Sequence, residues 1–137
     1  MNIDRLQAWV LRLTGATEIL AFISVVMPRA WMESAHSWLG LGVMPDGPVI
    51  MFMIRQASYA YGMHGVSLWL MATDVSRYQP LIIFNAFSFL IAGFLFAFID
   101  YTTGMPLWWT IVDGFGCASF GIAVLILNSL RRETTNQ

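Results

Sequence analysis

The chain has 137 residues, of which 58% are hydrophobic and 11% are charged, and its mean hydropathy is +0.66. Soluble domains carry about 25% charged residues, so this composition excludes an ordinary soluble protein and indicates a membrane protein. The net charge is −1 and the seven basic residues, all arginine, are scattered, which excludes the clustered basic surface that nucleic acid requires.

Four apolar stretches follow one another along the chain, each close to the roughly 20 residues that cross a bilayer. We predict membrane spans over residues 6–27, 49–72, 80–99 and 107–130, with a short interfacial helix over 29–39. Pro28 should end the first span, and Pro48 suits the first position of the second. Short connections favour antiparallel neighbours. The sequence therefore predicts one transmembrane domain over residues 1–137, an all-α, up-and-down four-helix bundle.

The segment between the first two spans is amphipathic. Its apolar face holds Trp31, Met32, Ala35, Trp38 and Leu39, at helical spacing. Four of the seven arginines belong to the terminal segments and the middle loop, whereas the other two loops hold only Arg29. Because cytoplasmic loops are enriched in arginine, we expect a multi-pass protein of the bacterial inner membrane with both termini in the cytoplasm.

Charged residues interrupt three of the predicted spans. Glu18, Arg55 and Asp113 lie nine, six and six residues from the predicted outer ends of their spans. At about 1.5 Å per residue this depth is about 9 to 14 Å, so we predict that the three form one buried cluster. An unpaired charge inside a membrane costs roughly 2.5 to 3.5 kcal/mol, so such residues mark function by default, although they can also simply fix helix register.

Other polar residues extend this candidate site. Tyr59 shares a helical face with Arg55, and Asn85 could hydrogen-bond across the bundle from the third span. His64, one turn after Tyr61, is rotated by about 180° from Arg55 on an ideal helix, so the two cannot easily share a pocket. Whether His64 joins the cluster is left open, and a face turned to a second copy of the chain is a further possibility.

The sequence lacks the motifs of the common enzyme classes, and the single His64 within a span argues against a two-histidine haem. We therefore expect no cofactor and no metal.

Our preferred interpretation is a non-enzymatic membrane protein whose polar pocket, near the periplasmic side, binds a small ligand or ion, or which serves as an accessory subunit. Alternatives are a membrane-embedded enzyme that acts on a lipid or quinone through a carboxylate acid or base, and a purely structural subunit. Expected partners are membrane lipid, a small ligand or ion, and further copies of the chain in a homo-oligomer.

Overall fold

The computed structural model describes residues 3–135, and every regular element within that range is an α-helix. The helices are α1 (Ile3–Ile19), α2 (Phe22–Val26), α3 (Arg29–Trp38), α4 (Pro48–Met71), α5 (Gln79–Thr103) and α6 (Leu107–Thr135). The prediction of an all-helical chain is confirmed. Both proline signals also hold, because α2 ends just before Pro28 and α4 begins at Pro48.

Three helical segments of the described chain are long and apolar enough to cross a membrane. They are Ile3–Val26, which joins α1 and α2, then Gln79–Thr103 and Leu107–Glu133. These segments are compatible with a multi-pass membrane protein. The predicted second span is a helix of 24 residues, α4, but it is not among the three. Arg55, Gln56 and His64, together with its serines and tyrosines, lower its hydropathy.

The predicted first span is not one uninterrupted helix. Leu20 and Ala21 form a turn between α1 and α2. The amide of Ala21 donates to the carbonyl oxygen of Glu18 at 2.9 Å, and the amides of Ile23 and Ser24 also bond three residues back, at 3.1 and 3.0 Å. This tighter 3₁₀-type winding replaces the α-helical pattern for one turn, directly after Glu18.

The described residues form two compact units. The hairpin unit takes in the chain up to Leu13 and again from Trp69 onward, and the mid-chain unit is Thr14–Leu68. In the hairpin unit, α5 ends at Gly104, whose φ of 78° is the left-handed conformation that terminates many helices. The chain then turns at Pro106 into α6.

Small residues allow α5 and α6 to pack backbone against backbone. A Cβ atom at Gly93 would lie 2.6 Å from the carbonyl oxygen of Gly114, and one at Gly121 would lie 2.5 Å from that of Ala86. Both distances are shorter than any real Cβ contact, so glycine is required at these two crossing points. Such small-residue contacts are the usual way in which membrane helices approach closely.

The mid-chain unit contains the same kind of contact between α1 and α4. A Cβ atom at Gly65 would lie 2.6 Å from the carbonyl oxygen of Gly15. One helical turn earlier in α4, a Cβ atom at Gly62 would lie 2.7 Å from the ring of Phe22. That ring also meets Tyr59 edge to face, with the ring centroids 6.0 Å apart. These contacts fix an antiparallel register between α1–α2 and α4.

Candidate functional site

An acid and a histidine from different helices meet in the mid-chain unit. Nδ1 of His64, on α4, lies 2.6 Å from Oε2 of Glu18, on α1. The Glu18 side chain is only 12% exposed, whereas that of His64 is 31% exposed. A separation this short is typical of a charge-assisted hydrogen bond. The carboxylate is therefore held inside the unit while part of the imidazole stays accessible.

Glycine next to His64 brings the two side chains together. Gly65 lets the backbones of α1 and α4 touch, and a Cβ atom there would lie 3.0 Å from the Cβ of Glu18 itself. Because the two backbones are so close, the side chains of Glu18 and His64 are long enough to meet between the helices. Glu18 also sits at the last full turn of α1, just before the 3₁₀-type winding.

A hydrogen bond between these two side chains requires a proton on one of the two facing atoms. If Glu18 is ionised, Nδ1–H of His64 donates to the carboxylate; if Glu18 is protonated, its hydroxyl donates to Nδ1. The Glu18 carboxylate also fixes the orientation of the imidazole ring, as carboxylates do for many functional histidines. The pair can therefore exchange a proton with whatever reaches the accessible part of the ring.

The predicted contact between Glu18 and Arg55 is not formed. Glu18 pairs with His64, and among residues 3–135 Arg55 makes neither an ion pair nor a hydrogen bond. A contact between Glu18 and Arg55 requires the outer ends of the first two predicted spans to lie level with each other. In the structure Gly65 packs against Gly15, so Arg55 lies about 13 Å along α4 from His64 and reaches the level of Val25 in α2.

Arg55 belongs to a separate groove of the mid-chain unit. This open groove has a volume of about 410 Å³ and is lined by Val25, Arg55, Gln56 and Tyr59. Arg55 is the one charged group among these four residues. The predicted association of Arg55 with Tyr59 is thus present, since both line the groove.

Asp113, the third member of the predicted cluster, belongs to the hairpin unit. Its electrostatic neighbour there is a second acid, Asp100, near the end of α5. Within the described part of the chain, Asp113 has no hydrogen bond and no ion pair. Membership of Asp113 in a cluster with Glu18 remains a prediction.

The two remaining candidates have local roles. Asn85, on α5, donates to the carbonyl oxygen of Leu81 at 2.9 Å and lies 3.9 Å from the sulfur of Met71. Tyr61 is about half exposed and lies one turn before His64 on α4. The tyrosine is therefore on the same helix as His64, and its part in the site remains a prediction.

A polar layer in the hairpin unit was missed from the sequence. Asp4 and Arg131 pair at 2.7 Å, linking α1 to α6, and the amide of Gln79 donates to that of Asn128, linking α5 to α6. Gln7 is fully buried, and neither its Nε2 nor its Oε1 has a partner among the described residues. Amides near the ends of spans resemble ordinary boundary residues, so no local pattern in the sequence indicates this layer.

No group of three or more potential metal ligands occurs among the residues that the structure describes. Comparison with protein-family models, with curated proteins and with solved structures finds no match to this chain.

Proposed function

We propose that this chain is a multi-pass protein of the bacterial inner membrane that binds a small ligand or ion at a polar site built on Glu18 and His64. In this proposal α4 also crosses the membrane, as the second of four spans in an up-and-down bundle, α3 lies at the membrane surface, and both termini are cytoplasmic. Three helices long and apolar enough to cross a bilayer support the membrane location.

The contact of 2.6 Å between Nδ1 of His64 and Oε2 of Glu18 is the observation that carries the proposal. If the pair only fixed the register between α1 and α4, exposure of one of its side chains would serve no purpose. Here the acid is mostly buried and the imidazole is about one-third exposed, so a ligand can reach the ring while Glu18 accepts or returns the proton at Nδ1. Intramembrane ionisable residues mark binding and proton-transfer sites more often than structural ones.

Native mass spectrometry tests this proposal. The full-length protein would be extracted in native lipid discs, and bound small molecules would be compared between the parent and the Glu18→Gln and His64→Phe variants. We expect the parent to retain a small molecule that both variants lose. Gly116→Ala is the matched control, because nothing lies within 4 Å of a Cβ atom at Gly116. Equal retention by all four proteins, or retention by none, would contradict the proposal.

A membrane-embedded enzyme acting on a lipid or quinone is the second candidate. The Glu18–His64 contact favours it, because a carboxylate that orients an imidazole is a common general acid–base pair. The same extraction separates the candidates, since an enzyme would release a chemically altered lipid or quinone. A purely structural subunit is less well supported, because such a role predicts that each intramembrane charge is paired, and Arg55 has no partner among residues 3–135.

A further inference from the structure

The groove around Arg55 differs from the Glu18–His64 site in position and chemistry. Its three polar residues, Arg55, Gln56 and Tyr59, have no hydrogen-bond or ion-pair partner in the described part of the chain. Together they present a guanidinium, an amide and a phenol hydroxyl, all of which can donate hydrogen bonds. Five of those donors belong to the guanidinium alone.

Two other arginines of the described chain are paired with acids. Arg29 bonds to Glu33 at 2.6 Å and also to Asp46, and Arg131 pairs with Asp4. Arg55 has no acid within reach among residues 3–135, and it is the sole charge in the groove. The groove is therefore positively charged, and no ion pair among residues 3–135 neutralises that charge.

The surroundings of the groove are apolar. Phe52 and Met53, within one turn of Arg55 on α4, are mostly exposed, and so are Ile23 and Val26 on α2. Large exposed hydrophobic side chains on both helices indicate contact with acyl chains rather than water. A ligand that complements both the positive charge of the groove and its apolar surroundings has an anionic headgroup and an apolar tail.

We propose that Arg55, Gln56 and Tyr59 bind the phosphate of an anionic phospholipid headgroup. The guanidinium bonds two phosphate oxygens through its planar fork, while the amide and the hydroxyl donate to the remaining oxygens. The groove lies beside Val25, close to the end of α2, which is where a headgroup would sit if α2 ends at the membrane surface. This inference rests on the membrane location proposed above but not on the Glu18–His64 site.

Lipid binding to the full-length protein in detergent tests this inference. Native mass spectrometry would measure the affinity for dioleoyl phosphatidylglycerol, with dioleoyl phosphatidylcholine as the uncharged-headgroup comparison. We expect the parent to prefer phosphatidylglycerol, and we expect Arg55→Gln to weaken that binding by about tenfold, as expected for loss of charge-assisted hydrogen bonds. Arg132→Gln, which removes the same charge from the exposed end of α6, should leave the affinity unchanged.

Gln56→Leu and Tyr59→Phe test the groove independently of Arg55→Gln, because neither changes the charge and a loss of binding cannot then be attributed to misfolding of the arginine variant. Each should weaken phosphatidylglycerol binding several-fold. Equal effects of Arg55→Gln and Arg132→Gln, or no effect of any groove variant, would overturn the inference. Displacement of the lipid by millimolar inorganic phosphate would show that free phosphate is the ligand and would also overturn it. If the protein stays in the aqueous phase without detergent, the membrane location itself is wrong; if it needs detergent but shows no lipid preference, only this inference fails.

Discussion

Replacing Gly65 with alanine should force α1 and α4 apart. The new methyl group would lie 2.6 Å from the carbonyl oxygen of Gly15 and 2.9 Å from the amide nitrogen of Ile19, and both are backbone atoms that cannot rotate away. Ordinary contact begins near 3.4 Å, so the helices must separate by about 0.8 Å. Overpacking of this kind costs about 1 to 3 kcal/mol, and alanine's better helix propensity returns about 1 kcal/mol. We expect a net loss of up to about 2 kcal/mol in the free energy of unfolding.

Gly116→Ala is the control, because its methyl group would meet nothing within 4 Å and should leave stability unchanged or raise it by up to about 1 kcal/mol. Reversible unfolding of the purified protein, from mild detergent into sodium dodecyl sulfate and followed by tryptophan fluorescence, measures both variants. If Gly65→Ala is as stable as Gly116→Ala, the close approach of α1 to α4 is refuted, and with it the explanation of how Glu18 reaches His64.

Two further predictions concern buried polar groups. Glu18→Gln and His64→Phe should not have additive effects in the same unfolding assay; a double-mutant cycle should give a coupling of about 1 to 3 kcal/mol, and additive losses would mean that the two side chains do not interact. Gln7→Met should raise the free energy of unfolding by about 1 to 3 kcal/mol, because it removes a fully buried amide that has no partner among the described residues. A loss of stability in Gln7→Met would indicate that this amide is bonded in the protein.

Helices were predictable from the sequence because their signals are local. Runs of apolar residues set the helical stretches, and Pro28 and Pro48 mark boundaries within a residue or two. The turn at Leu20 and Ala21 was not predictable, because neither residue breaks a helix and the 3₁₀-type winding depends on the packing around it.

The candidate site was only partly predictable, because it depends on register between helices. Counting depth from the span ends placed Glu18 level with Arg55, whereas the α1–α4 crossing at Gly65 places it beside His64. Along α4, Arg55 lines the groove with Val25, whereas His64 pairs with Glu18. If Gly62 and Gly65, rather than the span ends, are taken as the points where two helices approach most closely, the sequence indicates a contact between Glu18 and His64.

Solid-state nuclear magnetic resonance of the full-length protein in lipid bilayers tests the central claim most directly. The measurement is the dipolar coupling between the ¹³C-labelled side-chain carboxyl of Glu18 and the ¹⁵N-labelled Nδ1 of His64. A coupling typical of directly hydrogen-bonded groups is expected, since Nδ1 and Oε2 lie 2.6 Å apart. Absence of this coupling, or a coupling of the Glu18 carboxyl to the guanidinium of Arg55 instead, would contradict the account.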